Sequence, residues 1–225
     1  MRKLVLLAVG FAALCLLSRA SADEKGVAVD RAKRTVSIDA KIAPRKLPHL
    51  DKTYPIELVA CWPHPRGKKA HETVVTIDAD PSVVHKGLEE LGLKPGKPAR
   101  GEGAKAEGPE VNLYIEVPDG AGGAKRLTMD KFLIDPVSKK PAPKVKVRFT
   151  GSVMSPVDPS KPDEKKYGAD LTGSLIALFP VTDETVMQTD WTMKEEKYLK
   201  LEVNTQALPK EGTAVKLVIE VPAGK

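Results

Sequence analysis

The sequence predicts an α+β domain built mostly of antiparallel β-sheet, with one clear helix at about 81–91 and a second short helix at about 128–134. Three observations point there. Apolar residues alternate with polar ones through most of the chain, the period-two pattern of half-buried strands. One stretch switches to helical spacing and carries start and stop signals at its ends. The segments between are rich in Gly, Pro, Lys and Glu and hold little to bury.

The elements follow in order. Val27 and Val29, then Val36, Ile38, Ala40 and Ile42, put apolar side chains on one face of two short strands separated by a turn at Asp30 to Lys33. Ile56, Leu58 and Ala60 alternate next, and Val75 and Ile77 follow a basic, proline-rich loop, "ACWPHPRGKKAHET". Asp80 stands at an N-cap position and Pro81 at the first helical one. Val84, Leu88 and Leu91 then share a helix face, Gly92 suits the left-handed residue after the helix, and Pro95 prevents continuation. Further strands are expected around Val111–Val117, Val145–Phe149, Leu175–Phe179 and Val215–Val221. The second short helix runs from Thr128 to Ile134 and is closed by Asp135-Pro136. "VNLYIEVPDG" at 111 and "VKLVIEVPAG" at 215 are read as two strands under similar demands rather than as a repeat, because the likeness stops at their ends. Residues 94–110 and 155–166 are expected to be long mobile loops.

The first residues read as an export signal. Arg2 and Lys3 precede an apolar run from Leu4 to Leu17, and Ala20-Ser21-Ala22 is an A-x-A cleavage site, so residues 1–22 are expected to leave and the mature domain to span 23–225. The apolar run is shorter than the ~18 residues a membrane span needs, so no span is expected after cleavage. The protein is expected to be periplasmic or secreted. The formal net charge of +6 falls to +3 when Arg2, Lys3 and Arg19 leave. Basic residues are scattered among acids, unlike the concentrated stripe of a nucleic-acid binder. After cleavage Cys61 is the only thiol, since Cys15 lies in the leader, and no internal disulfide can form.

Several phrases in order resemble one family: "YPIELVACWP", "KKAHETVV", "DADPSVVHKGLEELGLKPGKP", "VRFTGS", "YGADLTGSLIAL" and "LPKEGTAVKLVI". The chain is similar to the YdjY-like domain family of exported bacterial proteins from about Gly26 to Val221. The resemblance implies an exported single domain and implies no established chemistry. It draws attention to Cys61, His71-Glu72, His85, Gly151-Ser152, Ala169-Asp170 and Gly173. Some relatives are linked to an iron–sulfur motif, but a four-iron cluster needs several thiolates at short spacing, so no such cluster is expected here.

The residues themselves give three candidate sites. Cys61 ends one strand and His71 begins the next, so an antiparallel hairpin would bring them together at the loop base, where an imidazole can lower a thiol pKa. Glu72 would face the other way. Cys61, His64, His71 and His85 are the candidate metal ligands, although their spacing lacks the short pairs of a structural zinc site. Asp170 is a candidate acid or base, with a turn role as the competing reading. Trp62 is expected to be an exposed contact residue and Trp191 to sit in the core.

No enzyme signature is complete. His71-Glu72 lacks the second histidine of H-E-x-x-H, and neither Ser152 nor Ser174 lies in a G-x-S-x-G elbow. The resulting expectation is an exported binding or interaction module with a surface around Cys61, His71 and His85, whose partner is another exported protein or a small ligand. One alternative is a thiol-dependent enzyme or redox accessory protein using Cys61 with His71. A second is a periplasmic metal-binding protein. No cofactor is predicted apart from that metal ion.

Overall fold

The computed structural model describes residues 26–223, so the leader read at 1–22 lies outside the described residues. In chain order the elements are β1 (Val27–Asp30), β2 (Thr35–Ile42), β3 (Leu58–Cys61), β4 (Thr73–Ile77), α1 (Pro81–Glu90), β5 (Glu110–Pro118), β6 (Ala124–Leu127), α2 (Met129–Phe132), β7 (Leu133–Ile134), β8 (Val147–Phe149), β9 (Met154–Pro156), β10 (Lys165–Tyr167), α3 (Ala169–Thr172), β11 (Ser174–Ala177), β12 (Met187–Thr189), α4 (Met193–Tyr198), β13 (Glu202–Val203) and β14 (Ala214–Glu220). A 3₁₀ turn at Ala70–Glu72 precedes β4.

The β-rich character is as expected, but the sheet is not open. Strands run in the order β2-β14-β5-β8-β12-β11-β3-β4, and β4 pairs back onto β2 through Ala40 with Ile77, Lys41 with Thr76 and Ile42 with Val75. The result is a closed eight-stranded barrel. Closure is possible because β2 is long enough to divide one edge, its first half pairing β1 and its second half β4. Strand β5 does the same with β6 and β8. The two similar phrases at 111 and 215 are neighbours, β5 and β14, with Ile115 opposite Leu217 and Leu113 opposite Ile219. Their shared pattern is that of two antiparallel strands lining one interior.

The period-two alternation supplies that interior. Val36, Ile38, Ala40 and Ile42 of β2, Val111, Leu113, Ile115 and Val117 of β5, and Val215, Leu217 and Ile219 of β14 are all buried and belong to one core. Helix α1 lies across β1 and β2 and buries Pro81, Val84, Gly87 and Leu88. Gly87 approaches so closely that a β-carbon there would sit 3.1 Å from Val29. Gly92 follows at φ +87°, as its place after the helix demands. The expected helix at 128–134 is shorter than read. Only Met129–Phe132 are helical, and Leu133–Ile134 extend to pair with β13.

The 94–110 segment crosses the surface with its own attachments. Lys97 and Glu107 bridge each other, and the amide of Gln188 brackets Ala99, accepting from its N–H at 2.7 Å and donating to its carbonyl at 2.9 Å. Of the expected loop 155–166, the two ends belong to the paired strands β9 and β10, and residues 157–164 connect them.

The largest departure from expectation is at β3 and β4. They are parallel, with Leu58 opposite Thr73 and Cys61 opposite Thr76. Residues 62–72 are therefore not a hairpin loop but a return crossover. They pack over β3 and β11 and enclose a second small core of Leu58, Cys61, Ala70 and Ala177. Trp62 pins its start. The indole is 9% exposed, not the exposed contact expected, and its N–H donates to the Ala79 carbonyl at 2.8 Å. The ring lies against Gly173, where a β-carbon would come within 2.5 Å of it and φ is +72°. Gly173→Ala is thus expected to lower stability by about 2–4 kcal/mol, from left-handed strain plus overpacking. Gly92→Ala carries only the backbone cost of about 1–2 kcal/mol, since nothing lies within 4 Å of its β-carbon. Urea denaturation of the two variants measures the difference; equal losses would mean that the Trp62 contact is unimportant.

Candidate functional site

The crossover creates a cavity. Its lower part faces α3 and the start of β11, and between them lies a hollow of about 240 Å³ lined by Cys61, Arg66, Lys68, Lys69, Leu171, Thr172, Ser174, Val181 and Thr182. The lining contains three cations and no carboxylate. Arg66 lies over the Trp62 ring at 4.4 Å, with Asp78 3.8 Å away. Lys69 turns from the hollow toward Glu57 and Glu72, the latter at 2.9 Å. Burial opposes the Lys69 charge, but the two carboxylates outweigh it and raise its pKa. Ser174 is 6% exposed, and its hydroxyl has no hydrogen-bond partner among the described residues.

His71 sits on the 3₁₀ turn at the far end of the crossover, not at the start of a strand. The parallel register puts it beyond the Leu58 end of β3, roughly 10 Å or more along the strand from Cys61 at 3.3 Å per residue. Its Nε2 meets Glu72 Oε1 at 3.2 Å, so Glu72 is beside His71 rather than on an opposite face; the strand parity fails because neither residue is in a strand. The Tyr54 ring packs edge-on at 5.3 Å. Arg45 binds the carbonyls of His71 and Tyr54 and pairs with Glu202 at 2.9 Å. Burial holds the His71 pKa below its ordinary value against the pull of Glu72, and its Nδ1 is buried without a partner.

Cys61 is 1% exposed. Its Sγ contacts the Trp62 carbonyl at 3.2 Å and no imidazole. Burial pushes the thiol up to about 12, Glu72 adds to the push, and Thr73 and Lys69 act the other way. His64 packs against His49 with ring centroids 5.3 Å apart. Among the described residues no group of three or more His, Cys, Asp or Glu is placed to hold a metal ion.

His85 belongs to a different cluster. Its Nδ1 lies 2.6 Å from Tyr167 Oη, which accepts from the Ser152 N–H at 3.1 Å. Burial raises the Tyr167 pKa, and Asp170 and Glu89 add to it. The phenol stays protonated, and the other ring nitrogen of His85, Nε2, faces Glu89 at 3.5 Å. Ser152 Oγ accepts from the Ala169 N–H at 3.0 Å. Asp170 reaches across the fold to accept from Ser82 N–H at 2.9 Å, capping the first turn of α1 in place of the Asp80 side chain, which makes no capping bond there. Gly151 adopts φ +68° with Pro95 and His85 against it.

A family model described as the YdjY domain matches residues 27–220. The chain belongs to the YdjY domain family. No curated protein and no solved structure matches it significantly.

In this YdjY domain, the positions that drew attention in the sequence fall into two places. Cys61, His71 and Glu72 lie at the two ends of the crossover. His85, Gly151, Ser152, Ala169 and Asp170 interlock beneath α3, whose last two residues form a wall of the cavity. Gly173 joins the two by seating Trp62. Sequence reasoning missed Tyr167, although it opens the phrase "YGADLTGSLIAL", because its partners lie 82 and 15 residues away. It also missed Arg66, Lys68 and the Ser174 hydroxyl as cavity-lining groups.

Two outcomes follow from this geometry. Tyr167→Phe leaves the Ser152 N–H and His85 Nδ1 without their partner and is expected to cost about 1–3 kcal/mol in urea denaturation; a change under about 0.3 kcal/mol would show the cluster to be slack. For Cys61, a pKa of about 12 leaves about one thiol in ten thousand ionised at pH 8. Iodoacetamide is expected to label Cys61 at least a hundredfold more slowly in the native protein than in guanidinium, with the native rate still rising above pH 9. Its folded pKa is raised, so the folded state resists losing the proton and Cys61 favours unfolding as pH climbs past the unfolded thiol value of about 8.5. Fast labelling at neutral pH would contradict the burial.

Proposed function

We propose that this YdjY domain is an exported binding module whose ligand occupies the cavity between the 62–72 crossover and α3. The observation that carries this reading is the hollow of about 240 Å³ with an apolar floor, Leu171 and Val181, and polar groups at its rim. A concave, mostly apolar space with a few polar groups is the general form of a small-molecule site, and loops held on a rigid scaffold are where such sites concentrate. The volume is small, so the ligand has on the order of ten non-hydrogen atoms.

The chemistry beside the cavity favours binding over thiol catalysis. A nucleophilic cysteine needs a depressed pKa and access; Cys61 has the opposite, and His71 donates nothing to it. A metal site asks for converging ligands, whereas His64, His71 and His85 face other rings and carboxylates. The partner is therefore proposed to be a small ligand rather than a metal ion.

Three fragments of similar size and different charge, benzoate, benzyl alcohol and benzylamine, test the location. At least one is expected to raise the melting temperature of the protein, and Leu171→Trp, which fills the cavity, is expected to abolish that shift. An equal shift in the variant, or none with any fragment, would overturn the assignment.

A further inference from the structure

We propose that the cavity selects a monocarboxylate carried on a short apolar or aromatic body; this rests on the binding reading above and names its ligand class. Three observations point to an anion. No acidic residue lines the hollow, while Arg66, Lys68 and Lys69 do. Lys69 is engaged by Glu57 and Glu72, but Lys68 has no ion pair among the described residues, and Arg66 has only a distant one with Asp78 at 3.8 Å. Two cations at the rim are thus available to an incoming charge.

The third observation is at the inner wall. Ser174 lines the hollow, and its hydroxyl makes no hydrogen bond among the described residues, which leaves it open to whatever enters. Its neighbour Thr172 is already satisfied: Thr172 Oγ1 donates to the Glu184 carbonyl at 3.0 Å and accepts from the Ser174 N–H at 3.2 Å. Thr182 Oγ1 accepts from the Glu184 N–H at 3.1 Å. The Ser174 hydroxyl is not sealed from water, since His71 Nδ1 alone is a buried unpartnered side-chain atom among the described residues, so a ligand oxygen can take the place of its water at little net cost. A donor on a buried residue and two exposed cations border one hollow, which suits a carboxylate with one oxygen toward Ser174 and the charge toward Lys68 and Arg66.

A single charge fits better than a phosphate dianion. The floor is apolar, and desolvating a second charge there would need further donors. Thr172 has none to spare, and the one hydroxyl proton of Thr182 is too little for a dianion. The apolar body lies on Leu171 and Val181, where each buried methylene or ring edge adds to affinity.

Calorimetric titration of the mature protein with benzoate, benzyl alcohol and benzylamine tests the class. Benzoate is expected to bind saturably and more tightly than the other two. Raising salt from about 20 to about 500 mM should weaken benzoate and leave benzyl alcohol unchanged. Ser174→Ala should weaken benzoate about fivefold and Lys68→Ala about threefold, while Lys144→Ala, on the far groove beside β5, should change nothing. If benzyl alcohol or benzylamine binds as well as benzoate and loses binding in Leu171→Trp, the carboxylate proposal fails while the cavity reading stands. If no fragment binds, both fail. Benzoate binding that survives Ser174→Ala and Lys68→Ala unchanged also overturns the proposal.

Discussion

Parallel strands that sit side by side in a barrel need a connection that returns the full length of the first strand before the second can begin. Between β3 and β4 that return is made by 62–72, eleven residues at the short end of what such a crossover allows. The consequences are local and severe. The chain must reverse immediately after Cys61, which it does by anchoring Trp62 against Gly173 and by a tight turn in which the Gly67 N–H meets the Pro63 carbonyl at 2.9 Å. A β-carbon on Gly67 would fall 1.8 Å from the Trp62 carbonyl oxygen, so only glycine fits. The returning segment cannot lie flat on β3 and β11 without burying them, and Leu58, Cys61, Ala70 and Ala177 become a second core in the process. Where it lifts away again, opposite α3, the hollow opens.

The same geometry explains the charges. A crossover rich in Arg and Lys placed over an apolar sheet face must find partners for any cation it tucks inward. Lys69 finds two carboxylates, and Arg45, from the segment after β2, holds the crossover from outside through the His71 carbonyl while binding Tyr54 and Glu202. These half-buried groups stabilise by satisfying each other rather than by simple pairing, because removing one member strands the rest. Lys68 and Arg66 point the other way, toward water and the hollow. The distinction between a cation engaged within the fold and one left at a rim is set by which side of an eleven-residue segment it occupies. Cys61 is protected by the same arrangement: the only thiol among the described residues lies under the crossover, where its ionised form is disfavoured.

Much of the fold was legible because much of it is local. The alternation at Val111–Val117 and Val215–Val221 identifies strands lining a core, and Asp80, Pro81 and Gly92 bracket α1 within a residue. What alternation does not encode is which strand pairs with which, or in what direction. Cys61 and His71 look like opposite ends of a hairpin in sequence, and the same residues serve equally well at opposite ends of a parallel crossover; only the pairing of β4 with β2, more than thirty residues back, decides it. The cap on α1 was half legible for the same reason. Asp80 occupies the right position, but the acceptor is Asp170, brought from 88 residues away. Tyr167 carried no local signal, since its value lies in joining His85 to Ser152. The cavity itself was illegible, being a space between a crossover and a four-residue helix that no periodicity announces.

The two clusters are not independent, and α3 is the reason. A helix of one turn has almost no stability of its own, so its position must be imposed from outside. Ser152 holds the Ala169 N–H, Asp170 is tied to α1, and Tyr167, fixed by His85 and Ser152, sets the residue from which the chain enters. Leu171 and Thr172 inherit that position and present it to the hollow. His85 thus acts on the cavity as a positioning residue, through packing, without touching anything bound there. This division suits a binding site. The wall is made rigid by bonds that are internally complete, and in the proposed reading selectivity falls to groups whose bonding is not complete, Ser174 and Lys68.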